Sequence, residues 1–139
     1  MATTMRHLGR LLSSLLVVLL LAGCGGPPAV TATLTDTAIQ VSPDTLPAGP
    51  ITFHITNTSA LEPHEFVVIR TDLSADQLPL DGDGNVAEDQ LSSPGEKGDI
   101  AAGQGGDLTL TLPAGRYMFI CNQPGHYKAG MHTVFTVTS

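Results

Sequence analysis

Cys121-Asn122-Gln123-Pro124-Gly125-His126-Tyr127-Lys128-Ala129-Gly130-Met131 is the stretch on which the reading of this chain turns. It sets a thiol, an imidazole and a thioether at C-x4-H-x4-M spacing. Pro124-Gly125 and Ala129-Gly130 fall between them, and such pairs bend a chain. A tight loop there turns all three side chains toward one point. Thiolate, imidazole and thioether together suit copper better than zinc. Two His, one Cys and a long axial Met form the ligand set of a blue-copper electron-transfer site. The loop holds one His only. A second has to come from elsewhere, and His64 in Leu61-Glu62-Pro63-His64-Glu65-Phe66 is the best candidate.

Outward from this loop the chain reads as short strands. Arg116 to Ile120 leads straight into Cys121, and Thr133 to Val137 follows the loop. Leu108-Thr109-Leu110-Thr111-Leu112 and Ile51-Thr52-Phe53-His54-Ile55-Thr56 alternate with period two, and Val30 to Val41 begins the same way. That period with β-branched residues marks strands. Phe66-Val67-Val68-Ile69 is a near-continuous apolar run, as for a strand covered on both faces. Residues 71–106 differ: eight acidic residues, one Lys and many Gly and Pro. Apart from one helical turn at Ser74 to Leu78, they read as a long loop, which needs a functional or disordered explanation. About six or seven turn-punctuated strands and no convincing helix imply an all-β sandwich or barrel.

The loop resembles the ligand loop of the cupredoxins, the plastocyanin/azurin/auracyanin family. Their pattern is a His just before a strand, then Cys, His and Met on the last loop. The resemblance covers roughly residues 29–139. It implies a Greek-key β-sandwich or barrel of about seven or eight strands, here with residues 71–106 as an acidic loop insert. It implies one copper per chain, with His64, Cys121 and His126 as equatorial ligands and Met131 as axial ligand. It also implies that the Pro63 carbonyl lies near the metal, and that Pro124, Gly125, Tyr127 and Ala129 form part of an apolar patch around the His126 edge. Glu65 stands where plastocyanins often place Asn, and Asn122 stands where Ser or Thr is common, so the surroundings of the sulfur are this chain's own.

Each residue also has a plainer reading. Cys121 alone would pass as a small buried hydrophobe, and Met131 as core filler. His64 and His126 alone would pass as surface histidines. The joint spacing outweighs these. His54 alternates away from Ile51, Phe53 and Ile55, so it faces water, and His132 points to the surface. Asp81-Gly82-Asp83-Gly84-Asn85 opens like a calcium loop, but Val86 stands where that loop needs Gly and Ser92 where it needs Glu. It reads as an acidic turn.

The N-terminus reads as a targeting segment. Arg6 and Arg10 precede an apolar run from Leu11 to Leu21 that is too short to span a membrane. Leu21-Ala22-Gly23-Cys24 resembles the bacterial lipobox, which implies that residues 1–23 are a lipoprotein signal peptide and that Cys24 is lipidated. Residues 24–29 are then a linker and residues 30–139 the domain. With Cys24 so used, Cys121 has no disulfide partner. Without Arg6 and Arg10 the chain keeps four Lys plus Arg against thirteen Asp plus Glu, a formal charge of −9. That excludes nucleic acid as a partner, since phosphate rewards basic surfaces. The expectation is a monomeric, membrane-anchored carrier of single electrons outside the cytoplasm, serving membrane-bound or soluble redox proteins. The alternative is an extracytoplasmic carrier or scavenger that delivers Cu(I). The chain has no His-x-His pair of the kind that multicopper enzymes use, so no enzymatic activity is expected.

Overall fold

The structure, a computed structural model, describes residues 25–139; the signal peptide expected over residues 1–23 and the lipidation expected at Cys24 lie outside the described residues. Nine strands form two sheets. They are β1 (Ala29–Thr35), β2 (Ala38–Ser42), β3 (Thr45–Pro47), β4 (Gly49–Asn57), β5 (His64–Arg70), β6 (Ser92–Ile100), β7 (Gly105–Leu112), β8 (Gly115–Ile120) and β9 (His132–Thr138). One sheet runs β2-β1-β4-β7 and the other β3-β9-β8-β5-β6. The β1–β4 and β3–β9 pairs are parallel and the rest antiparallel. The all-β sandwich expected from the period-two runs is what forms.

Alternation builds the core directly. Val30, Ala32 and Leu34 of β1 and Ile51, Phe53 and Ile55 of β4 face inward and are buried. Phe66, Phe119 and Phe135 meet them from the second sheet. With Phe53 these are all four phenylalanines of the chain. Their centroids lie 4.8–5.9 Å apart in five pairs, mostly tilted or edge-on, with Phe119 and Phe135 stacked. Such aromatic pairs contribute about 0.5–1.5 kcal/mol beyond area burial. They give the end of the sandwich that carries Cys121 a stiff floor.

Two strand assignments differ from the sequence reading. The run from Val30 to Val41 is a hairpin, because Asp36-Thr37 turns between β1 and β2. Residues 71–106 are not all loop: Ser92–Ile100 is an edge strand on β5. Pro94, two glycines and the Glu96-Lys97 pair hide it, and edge strands tolerate such residues because only one side of the backbone is paired. The remainder of that insert is also ordered. Ala75–Gln77 forms the expected short helical turn, closed by Ser74 and Gln77. Leu78, Val86 and Tyr127 pack with Val67, Ile69, Met118 and Ile120 on the outer face of the second sheet. That explains the continuous apolar run in β5, which is covered on both faces.

Strand directions define two ends. The last residues of β1, β4 and β8 and the first of β5 gather at one end, where Asp36 comes within 3.7 Å of His64. β1 starts toward the other end, since Ala29 pairs with Thr52 and Gly49 with Leu112.

Candidate metal centre

β8 delivers Cys121 to the end of the sandwich, and β9 takes the chain back. The loop between them is closed at its neck, where the Cys121 amide donates to the Met131 carbonyl at 3.0 Å. Within the loop, the amides of His126, Ala129, Gly130 and Met131 donate to the carbonyls of Gln123, Gly125, Tyr127 and His126. Gly125 at φ +83° and Gly130 at φ +108° supply the left-handed turns, a region glycine enters without steric cost.

β5 begins at His64 on the facing side. The turn before it is fixed by Asn57, a fully buried residue that the sequence analysis does not single out. Its amide donates to the carbonyls of Glu62 and Ile100, both at 2.9 Å, and its oxygen accepts from the Ser59 amide at 2.9 Å. The Ser59 hydroxyl accepts from the Leu61 and Glu62 amides. A buried Asn in a polar stretch carries no periodicity signal, which is why it was missed.

These elements bring three donors together. His64 Nδ1, Cys121 Sγ and His126 Nδ1 lie within 4.8 Å of one another. The two Nδ1 atoms are 3.1 Å apart, and Sγ is 3.4 Å from His126 Nδ1 and 3.8 Å from His64 Nδ1. His64 and Cys121 are fully buried and His126 is half-buried. Met131 is fully buried in the same apolar core as Cys121. Burial and the adjacent His126 ring hold His64 below the ordinary imidazole value. It is therefore neutral at pH 7, the form in which imidazole binds metals. Its Nε2 is buried and lacks a hydrogen-bond partner, with Asp36 at 3.7 Å, beyond bonding distance. Burial pushes the Cys121 thiol up, opposed by the Glu65 amide. That amide donates to Sγ at 3.3 Å. It is free to do so because β6 has one residue more than β5 between the His64–Ile100 and Phe66–Lys97 pairs, a bulge that takes Glu65 out of the regular ladder.

Two imidazoles and one thiol without a carboxylate in the group make a soft-to-intermediate donor set, which fits copper and disfavours calcium or magnesium.

A match to the sulfocyanin (SoxE) domain covers residues 35–139. The chain belongs to the sulfocyanin family. It is a blue-copper cupredoxin, an electron-transfer protein and not an enzyme. Auracyanin-B of Chloroflexus aurantiacus is 53% identical over 40 residues, which are 28% of this chain and 17% of that protein, so the match spans under a fifth of that relative's length. Reduced auracyanin from Roseiflexus castenholzii shares the fold with a TM-score of 0.63 at 24% identity, over 83% of this chain and all of the other. Auracyanin A of Chloroflexus aurantiacus, described as a "blue" copper protein, gives 0.57 at 24% identity, over 81% of this chain and all of the other.

The surroundings of this sulfocyanin-family site are its own. Glu65 does not bond the sulfur through its side chain; its carboxylate accepts from Gln123 at 3.0 Å, tying the strand to the loop. Burial raises the Glu65 carboxyl above the usual range. Tyr127 is not part of an apolar surface patch. It is 7% exposed, because the 71–91 segment covers it. His54 is exposed and paired with Asp107 at 2.8 Å, as expected of a water-facing residue. His132 is half-buried beside Tyr127 rather than fully at the surface.

Proposed function

We propose that His64, Cys121, His126 and Met131 hold one copper ion, and that the protein passes single electrons between redox proteins outside the cytoplasm. The observation that carries this is the convergence of His64 Nδ1, Cys121 Sγ and His126 Nδ1 within 4.8 Å at the end of a closed loop. When bound, copper supplies a one-electron Cu(II)/Cu(I) couple. The protein does the rest. His64 offers a neutral, fully buried nitrogen. The Cys121 thiol gives up its proton on binding, as thiol ligands must. The Glu65 amide then steadies the sulfur's charge. Met131 brings a thioether from the neck of the loop. The packed phenylalanines and the closed neck resist movement and exclude water, which suits a site that changes charge and not shape. Only the His126 ring reaches toward solvent, so its edge is the path for the electron.

Delivery of Cu(I) to another protein fits the site poorly. Cys121, His64 and Met131 are fully buried, and a site made for release would expose its donors.

The lipid anchor on Cys24 and the targeting segment before it belong to this reading. They are supported by Arg6, Arg10, the apolar run and the L-A-G-C end. β1 starts toward the end of the sandwich opposite His126, so a tether there leaves the His126 edge facing away from the membrane.

Copper-loaded protein should show an intense visible band and narrow copper hyperfine splitting by EPR, and Cys121→Ser should abolish both. A colourless protein with ordinary copper EPR would mean that Cys121 is not on the metal and would remove the electron-transfer reading.

A further inference from the structure

The acidic segment between β5 and β6 touches the metal loop at the residue that follows Cys121 and at the residue that follows His126. Asn122 follows Cys121 directly. Its oxygen accepts from the Val86 amide at 2.8 Å, and its amide donates to the Val86 carbonyl at 3.0 Å and to Glu88 Oε1 at 2.7 Å. Tyr127 follows His126 directly. Its hydroxyl donates to the Ala75 carbonyl, and its ring packs with Leu78 and Val86. Lys128 lies across Gly84, where an added Cβ would come within 2.0 Å of Nζ.

The segment is itself built to hold still. Leu80 and Val86 form a bridge, and the amides of Asp81 and Ala87 donate to the carbonyls of Asn85 and Pro79 at 2.8 and 2.9 Å. The Asp81 carboxylate accepts from the Asp83 and Asn85 amides, both at 2.9 Å. Cupredoxin-type donors on a loop gain precision when packing and hydrogen bonds fix the residues beside them.

We infer that residues 72–91 are a clamp that holds Cys121 and His126 in place before and after metal binding, with Asn122 and Tyr127 as its positioning residues. The role in electron transfer rests on the copper reading above; the clamp itself does not. Asn122 uses all of its amide on the segment and Tyr127 spends its hydroxyl there, so the loop is fastened beside both donors from outside the sandwich. Glu65 and Gln123 fasten it from inside. Only the His126 edge is left open.

The test compares Asn122→Ala and Tyr127→Phe with the unaltered chain and with Asp83→Asn, whose side chain makes no hydrogen bond or ion pair with the loop. In metal-free protein, alkylation of Cys121 by iodoacetamide is followed by peptide mass spectrometry, and amide hydrogen exchange is followed over residues 121–131. Tyr127→Phe keeps the ring, so it guards against simple misfolding. Loss of its hydrogen bond should speed alkylation about tenfold, equivalent to about 1.4 kcal/mol of opening free energy. Asn122→Ala should do more, and Asp83→Asn should change nothing. In copper-loaded protein both variants should keep the visible band while electron self-exchange slows. Unchanged alkylation and exchange would overturn the clamp. So would alkylation that rises only in step with a fall in global urea stability, because Asn122 and Tyr127 would then be ordinary packing residues. A wild-type chain without the visible band, whose variants still show faster alkylation, would overturn the copper reading and leave the clamp standing.

Discussion

The backbone N–H of Glu65 donates to Cys121 Sγ at 3.3 Å, across the gap between the start of β5 and the end of β8. One bulge makes this possible, and it ties the ligand strand to the ligand sulfur. A hydrogen bond to a thiolate withdraws charge from it and weakens its hold on the oxidised metal. Glu65→Pro removes the donor without breaking the regular β5–β6 pairs, which run through His64 and Phe66. The reduction potential should fall by on the order of 50 mV, close to the 59 mV that equals a tenfold change for one electron. Voltammetry of the two proteins decides this. An equal potential would mean that the contact is geometric only.

Met131 is fully buried, and its carbonyl closes the loop on the Cys121 amide. Met131→Leu keeps both the volume and the backbone bond, and a near-isosteric swap of this kind costs under about 1.5 kcal/mol. The visible band should survive, and the potential should rise because a weak axial donor to the oxidised metal is lost. A potential that does not move would count against axial ligation.

Asn57 makes three hydrogen bonds inside the protein and fixes the turn that leads into His64. Asn57→Ala leaves the Glu62 and Ile100 carbonyls and the Ser59 amide short of partners in a buried place. The cost should be about 2–3 kcal/mol, within the range for orphaned buried polar groups. Urea unfolding of metal-free protein measures it. A loss below about 0.5 kcal/mol would show that the turn is held by other means.

Tyr117 is buried, and its hydroxyl donates to the Pro113 carbonyl at 2.7 Å. Burial raises its pKa above the ordinary tyrosine value, with Arg70 pulling the other way. The folded chain therefore keeps a proton that the unfolded chain loses above about pH 10. The stabilisation is complete below that pH and is lost as pH rises through the folded value. Tyr117→Phe should cost about 1 kcal/mol at pH 7 through the lost hydrogen bond. It should also flatten the decline of stability above pH 10. Parallel pH curves for the two proteins would refute the assignment.

The sequence by itself determined the sandwich and pointed to the candidate donors. Period-two runs in β4 and β7 fix which side chains face inward, because a pleated strand leaves no other choice. The C-x4-H-x4-M spacing with its Gly pairs specifies a tight loop, and one free thiol beside an imidazole and a thioether narrows the metal. Tertiary structure decided what no local pattern encodes. His64 stands 62 residues from His126 in the chain, yet their Nδ1 atoms lie 3.1 Å apart, a distance set by how β5 and β8 pair. Ser92–Ile100 is a strand because β5 offers it a ladder, not because its residues favour one. Asn57, Asn122 and Tyr127 act through partners far along the chain. Hydrogen bonds of that range depend on packing that only the closed fold provides.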